Sequence, residues 1–436
     1  MDCRSSGGYN FTSIQAAIDN GSTVSGDTII VHDDGGNPYT YHESVTVNKT
    51  NLTIRSAGLV TVNGSLNPSS PVFRVQSTGS GATIQGFRLV GATAAAGVSM
   101  DGAENVTLTN LNITGSSLGV LIRGESSNVT VSGVTVNRTS QQGLYVDGGA
   151  SVSGLVVRDS VFDSTGASGI GKDYSSSVDV LRLENVTVVN ATGYGVLLNA
   201  RSYYGYFVRN VVVNNTTIRD CSQDGLRITM ETNSENATII NVTSTNNRGS
   251  GLYAELRGNN TLENSTFSNN TNWGIWLTGQ NNPKLTFQRN NAYNNSAGGI
   301  YLRNINNVTI NGSESIIKDN GGTCLELQNA DGVTVEGLVF GNGVRQFNYG
   351  VVAVDCDDLI LRGLSIGNST LQGVRVGGMA SNVTLVGVNV TGSGQQGLLL
   401  VESSTLRNVT VDDSWFVNCS EGIRRVSWSW DGFLMV

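Results

Sequence analysis

The stretch that decides the fold is Asn128-Val-Thr-Val-Ser-Gly-Val-Thr-Val-Asn-Arg-Thr-Ser-Gln-Gln-Gly-Leu-Tyr-Val146. It holds three apolar–polar–apolar triplets: Val129-Thr130-Val131, Val134-Thr135-Val136 and Leu144-Tyr145-Val146. Each triplet reads as a short strand with alternating faces. Turn residues separate them: Ser132-Gly133, then a polar loop that closes on Gly143. Three strands and their turns make one coil of a solenoid.

Working outward, the closing glycine recurs at Gly97, Gly119, Gly143, Gly169, Gly195, Gly225, Gly251, Gly274, Gly299, Gly350, Gly373, Gly397 and Gly422. Cys324 occupies the one empty slot. The period of about 25 residues is that of a repeat array rather than of separate domains. Inward residues of one coil stack on those of the next. The expected fold is all-β, a right-handed parallel β-helix of roughly 14–16 coils with a short N-terminal capping helix. Residues 1–26 form the cap, 27–426 the β-helix, and 427–436 a C-terminal cap or docking tail. In the cap, Phe11–Gly21 reads as an amphipathic helix with Ile14, Ala17 and Ile18 on one face.

Composition narrows the function. The formal net charge of −8, with only 14% charged residues, supplies no basic stripe for nucleic acid. No apolar run reaches the ~20 residues of a membrane-spanning helix. No secretory signal opens the chain, although the remainder reads as extracellular. Five cysteines, Cys3, Cys221, Cys324, Cys356 and Cys419, match no zinc spacing. Cys324 reads as a small buried hydrophobe. Cys3 and Cys419, near opposite ends, are candidate intersubunit cysteines. No metal site and no cofactor are expected.

Several columns carry further expectations. Ten residues before the repeat glycine, four coils hold Asn185, Asn215, Asn241 and Asn264, an expected amide ladder. These are also glycosylation sequons, expected unmodified because their amides are engaged. Better acceptors are Asn190, Asn269, Asn294, Asn368 and Asn418, in the loop before the glycine. Two residues after the glycine, an outward column should be polar. It contains Leu121, Tyr145, Leu197, Tyr253, Trp276, Tyr301, Val352 and Leu399. This column is the candidate assembly face, with stacking on sugar rings as the other use.

The opening resembles a family. Ser13-Ile-Gln-Ala-Ala-Ile-Asp19, Gly26-Asp-Thr-Ile-Ile-Val31, Tyr41-His-Glu-Ser-Val-Thr-Val47 and Leu52-Thr-Ile-Arg55 are similar to the start of pectate-lyase-like right-handed β-helix proteins. The repeats, such as Asn264–Leu277, resemble NosD-like β-helix proteins of methanogenic archaeal surfaces. The resemblance implies a secreted or envelope setting, such as a sheath or surface layer. Enzymes of this fold use paired carboxyls, or acidic calcium ligands with a basic proton acceptor. The polygalacturonase-like Asn-Thr-Asp, Gly-His-Gly and Arg-Ile-Lys motifs do not occur here. The only histidines are His32 and His42, and Asp33-Asp34, Asp357-Asp358 and Asp412-Asp413 read as turn formers. The expectation is therefore a non-catalytic, self-assembling subunit of an archaeal cell envelope. Its partners would be copies of itself, with surface glycans as a second class. A polysaccharide lyase or hydrolase, or a glycan-binding adhesin, is the alternative.

Overall fold

The computed structural model describes residues 2–3, 10–200, 205–231, 233–341, 346–402 and 406–427. The chain forms a parallel β-solenoid of about 15 turns. It divides into two compact units: Met1–Ser222 with Thr229–Ser234, and Gln223–Ile228 with Glu235–Val436.

In the first unit one turn is Glu125–Ser132, Thr135–Asn137 and Leu144–Val146. The next is Ser151–Arg158, Val161–Asp163 and Ile170–Lys172. Strands pair in parallel, with Val131 beside Val157, Val136 beside Phe162 and Leu144 beside Ile170. Val131, Val136 and Leu144 are 0% exposed. The alternation seen in the triplets thus separates core from surface. The second unit repeats the plan, with Leu252–Leu256, Asn259–Glu263 and Thr266–Ser268 in one turn and Trp273–Gly279, Lys284–Gln288 and Asn291–Tyr293 in the next.

The repeat glycine is required by close approach rather than by its dihedral. A Cβ on Gly143 would stand 2.6 Å from both the Gly169 carbonyl oxygen and the Phe162 ring. On Gly274 it would meet Asn295 Nδ2 at 2.6 Å and the Gly299 oxygen at 2.9 Å. Glycine lets successive turns close on one another at this corner. Cys324 takes the slot at 0% exposure, and burial pushes its thiol well above the ordinary range.

The amide ladder lies at a different corner from the one expected. Asn185, Asn215, Asn241 and Asn264 are exposed turn residues with φ of 54°, 48°, 54° and 50°. That left-handed backbone explains the choice of Asn, Asp and Gly at this position. Asn185 Nδ2 donates to Asp159 Oδ1 at 2.8 Å, and Asn264 Oδ1 accepts from Arg289 Nε at 2.6 Å. The buried ladder is Asn247, Asn270, Asn295 and Asn320, each at most 1% exposed. Each Nδ2 of the first three donates to the next Oδ1 at 3.0 Å. The same oxygens accept the backbone N–H of the preceding ladder member, also at 3.0 Å. The physical reason is burial: an amide side chain stacks on its neighbour where water cannot compete.

At the N-terminal end, a helix spans Ile14–Asp19. Ser13 caps it, accepting from Ala16 N at 3.0 Å, and Ile14, Ala17 and Ile18 are buried, as the amphipathic pattern requires. Glu43 reaches back to the same helix end. Its carboxylate accepts from Ile14 N at 2.9 Å and Gln15 N at 3.0 Å. The side chain of Cys3 and the whole segment 428–436 lie outside the described residues, so the docking-tail and N-terminal bridging expectations fall there. Cys419 is a free, half-buried thiol.

Candidate functional site

The outward column of the glycine-bearing sheet is unevenly exposed. Leu121 is 4% exposed, and Tyr301 and Val352 are 8%. Tyr145, Leu197, Tyr253, Trp276 and Leu399 are half-buried.

In the second unit, Tyr253, Trp276, Tyr301 and Glu326 stand side by side on four successive strands. The ring centroids of Tyr253 and Trp276 are 5.5 Å apart, and those of Trp276 and Tyr301 4.9 Å. Trp273, from the column just before the glycine, joins them. Its centroid lies 5.6 Å from Tyr301 and 6.4 Å from Trp276. A side chain at Gly298 would collide with the Trp273 ring, so that glycine makes room for it. The result is an aromatic cluster whose rings prefer edge-to-face and tilted contacts.

Polar groups frame the cluster. The Arg227 guanidinium carbon sits 4.1 Å from the Tyr253 ring centroid, and Arg227 pairs with Asp224 at 3.0 Å. Tyr253 OH donates to Glu255 Oε1 at 3.1 Å, and Tyr301 OH to Gln328 Oε1 at 2.5 Å. Burial pushes both phenols up. Burial also raises the Glu326 carboxyl, against the opposing pull of Arg375. A ring platform with fixed hydrogen-bonding groups at its margin suits an extended, hydroxyl-rich ligand.

In the first unit the same column carries Tyr145, beside Gly171 on the next strand. Tyr145 OH donates to Asp173 Oδ2 at 2.9 Å. Burial and the facing carboxylate push the phenol up, so it stays protonated. Burial raises the Asp173 carboxyl, but bonds from Ser175 and Tyr145 outweigh it and hold the group below its ordinary value. Next to it, Lys172 takes an inward place beside Val146 and is 2% exposed. Its Nζ donates to the Asp173 and Asn199 carbonyls at 2.9 and 2.7 Å. Burial lowers its pKa to about 7. A neutral amine has two N–H groups, which match those two acceptors.

Asn190, Asn269, Asn294, Asn368 and Asn418 are exposed with positive φ, the same environment as the four turn asparagines expected to differ from them. Asp357 and Asp358 bond Ser381 and Asn382 of the next turn, at 2.8 and 2.9 Å. Asp33 accepts from Gly36 N and Leu59 N at 3.0 Å. These carboxyls form turns. Among the described residues no cluster of three His, Cys, Asp or Glu side chains has the geometry to hold a metal.

Known proteins add the following. No curated sequence matches the chain. Solved structures similar to it include the A-module of the mannuronan C-5 epimerase AlgE4 of Azotobacter vinelandii, at 15% identity over 94% of this chain and 92% of that one, with a TM-score of 0.34. The periplasmic alginate epimerase AlgG is similar at 12% identity over 87% and 78%, with a TM-score of 0.38. The catalytic unit of a GH87 α-1,3-glucanase of Streptomyces thermodiastaticus is similar at 13% identity over 94% and 64%, with a TM-score of 0.38. At these values the likeness concerns the fold. The expectation of a non-catalytic, self-assembling envelope subunit is corrected to this extent: the solved structures that share the fold are named as epimerases and a glucanase. The model for the right-handed β-helix region matches residues 73–212, 175–340 and 312–429, and the chain belongs to that family.

Proposed function

We propose that this chain is a carbohydrate-active β-helix protein that holds a glycan along the aromatic cluster of its second unit. The observation that carries the reading is the Tyr253–Trp276–Tyr301 register with Trp273 beside it and Arg227, Glu255 and Gln328 at its margin. Ring faces take the apolar faces of sugars, and the polar margin takes hydroxyls. Exposed sequons at Asn190, Asn269, Asn294, Asn368 and Asn418 support an extracellular setting.

Affinity electrophoresis against alginate, polygalacturonate and α-1,3-glucan tests the binding. Retardation by at least one of them is expected, weakened about tenfold by Trp276→Ala, the scale of one aromatic contact. Turnover is followed as newly reducing or unsaturated chain ends. A wild-type chain that binds none of these polymers, or binds equally well without Trp276, overturns the reading.

A further inference from the structure

A cleft lies round the corner from the aromatic cluster, within the same unit. Most turns of the solenoid pass strand to strand without a gap. At one place two of the three sheets stop and restart. One ends at Lys284–Gln288 and the next begins at Thr309–Asn311; another ends at Ile317–Lys318 and resumes at Val339–Phe340. The third runs on unbroken through Trp273–Gly279, Gly298–Arg303 and Thr323–Gln328.

At the first break, just before Lys284, Asn281 and Asn282 both turn left-handed, at φ of 56° and 47°, and Pro283 follows with no N–H to give. The opening between Lys284–Thr286 and Asn306–Asn307 has a volume of about 520 Å³. That is within the ~300–1,000 Å³ of small-molecule sites. Its lining combines the buried Pro283 and half-buried Leu285 with the amides of Asn282, Asn306 and Asn307 and the exposed Lys284 ammonium. Asn306 Oδ1 is committed to Asp331 N at 3.0 Å. Its Nδ2 reaches Asn282 Oδ1 at 3.4 Å, long for such a bond. That weakly held N–H is a donor a ligand can take over.

We propose that this cleft binds a single saccharide unit, a terminal or branch residue of a glycan. The small apolar floor meets a sugar face, and amide and ammonium groups meet hydroxyl and ring oxygens. The proposal rests on the glycan reading of the neighbouring cluster for its ligand class, but not on that cluster for its contacts.

Saturation-transfer NMR of the full chain with the methyl glycosides of glucose and of glucuronic acid is the test. Transfer to at least one glycoside is expected in wild type and in Trp276→Ala. Asn306→Ala and Lys284→Ala, both at half-buried or exposed positions, should each weaken it at least fivefold with the circular dichroism unchanged. A signal insensitive to Asn306 and Lys284, or absent in wild type, overturns the cleft proposal. A signal lost only with Trp276→Ala assigns the glycoside to the aromatic cluster, which refutes the cleft while leaving the function reading intact.

Discussion

In the first unit the corner before the repeat glycine holds Thr139, Thr165 and Ala191, and in the second it holds Asn247, Asn270, Asn295 and Asn320. Both sets are buried. The threonines satisfy themselves locally: Thr139 Oγ1 donates to Gln141 O at 2.9 Å and Thr165 Oγ1 to Ala167 O at 3.2 Å. The asparagines instead bond from turn to turn, and each of the inner two also donates to a backbone carbonyl, Ser244 at 3.2 Å or Phe267 at 3.0 Å. A hydroxyl closes its own turn, whereas an amide ties turns together. The geometry of one corner therefore serves either independent turns or a cooperative block.

The strongest way to break this comparison is Asn295→Ala. It strands an amide and a backbone N–H of Asn270 and the Phe267 carbonyl, and should cost about 3–5 kcal/mol in urea unfolding. Gly274→Ala drives a methyl into the same ladder and should cost about 2–3 kcal/mol. Combined with Asn295→Ala its effect should be less than additive, because the nearest clash partner is gone while the Gly299 oxygen at 2.9 Å remains. Strict additivity would show that the ladder is not the coupling element.

A third test concerns the first unit's own buried polar group. Lys172 has a folded pKa of about 7 against an ordinary 10.5. The unfolded chain therefore holds the proton more tightly. Stability contributed at this site rises as pH climbs from about 7 toward 10.5, and the cost is full below about 7. Wild type should show a slope, relative to Lys172→Met, of at most about 1.4 kcal/mol per pH unit over that window. Parallel pH profiles would place Lys172 in a charged state throughout. The smallest effect is expected for Thr165→Ala, about 1 kcal/mol, since one local bond is lost. A loss there as large as at Asn295 would erase the distinction between the two corners.

The solenoid was legible because its signal repeats: triplets, turn residues and a glycine column fix the register many times over. The N-terminal helix was legible from Ile14, Ala17 and Ile18 alone. The ladder was not, since both asparagine columns recur at similar spacing and only packing separates a buried corner from an exposed turn. Alternation put Trp276 and Tyr301 on the outer face, where Trp276 stays half-buried while Tyr301, with Trp273 beside it, is left only 8% exposed. Trp273 itself stands where other turns carry Ser168, Ser250 or Thr323, so no repeat marks it. Lys172 left one trace, a basic residue ending a triplet where its neighbours end in Val146 and Leu198. The cleft at Lys284 follows from two consecutive left-handed asparagines before a proline, a pattern whose effect on sheet pairing depends on the next turn.

The Glu43 bond to the first helix has a consequence for how the chain is made. Glu43 closes on Ile14 across only 29 residues. Later turns pair residues 22 apart, as Val98 with Val120 (120 − 98), to 30 apart, as Val178 with Val208 (208 − 178). Every such closure carries nearly the same modest entropy, and none waits for a distant part of the sequence. A ribosome or an export channel that releases the N-terminus first would thus deliver a finished template, onto which each emerging segment adds as one more layer.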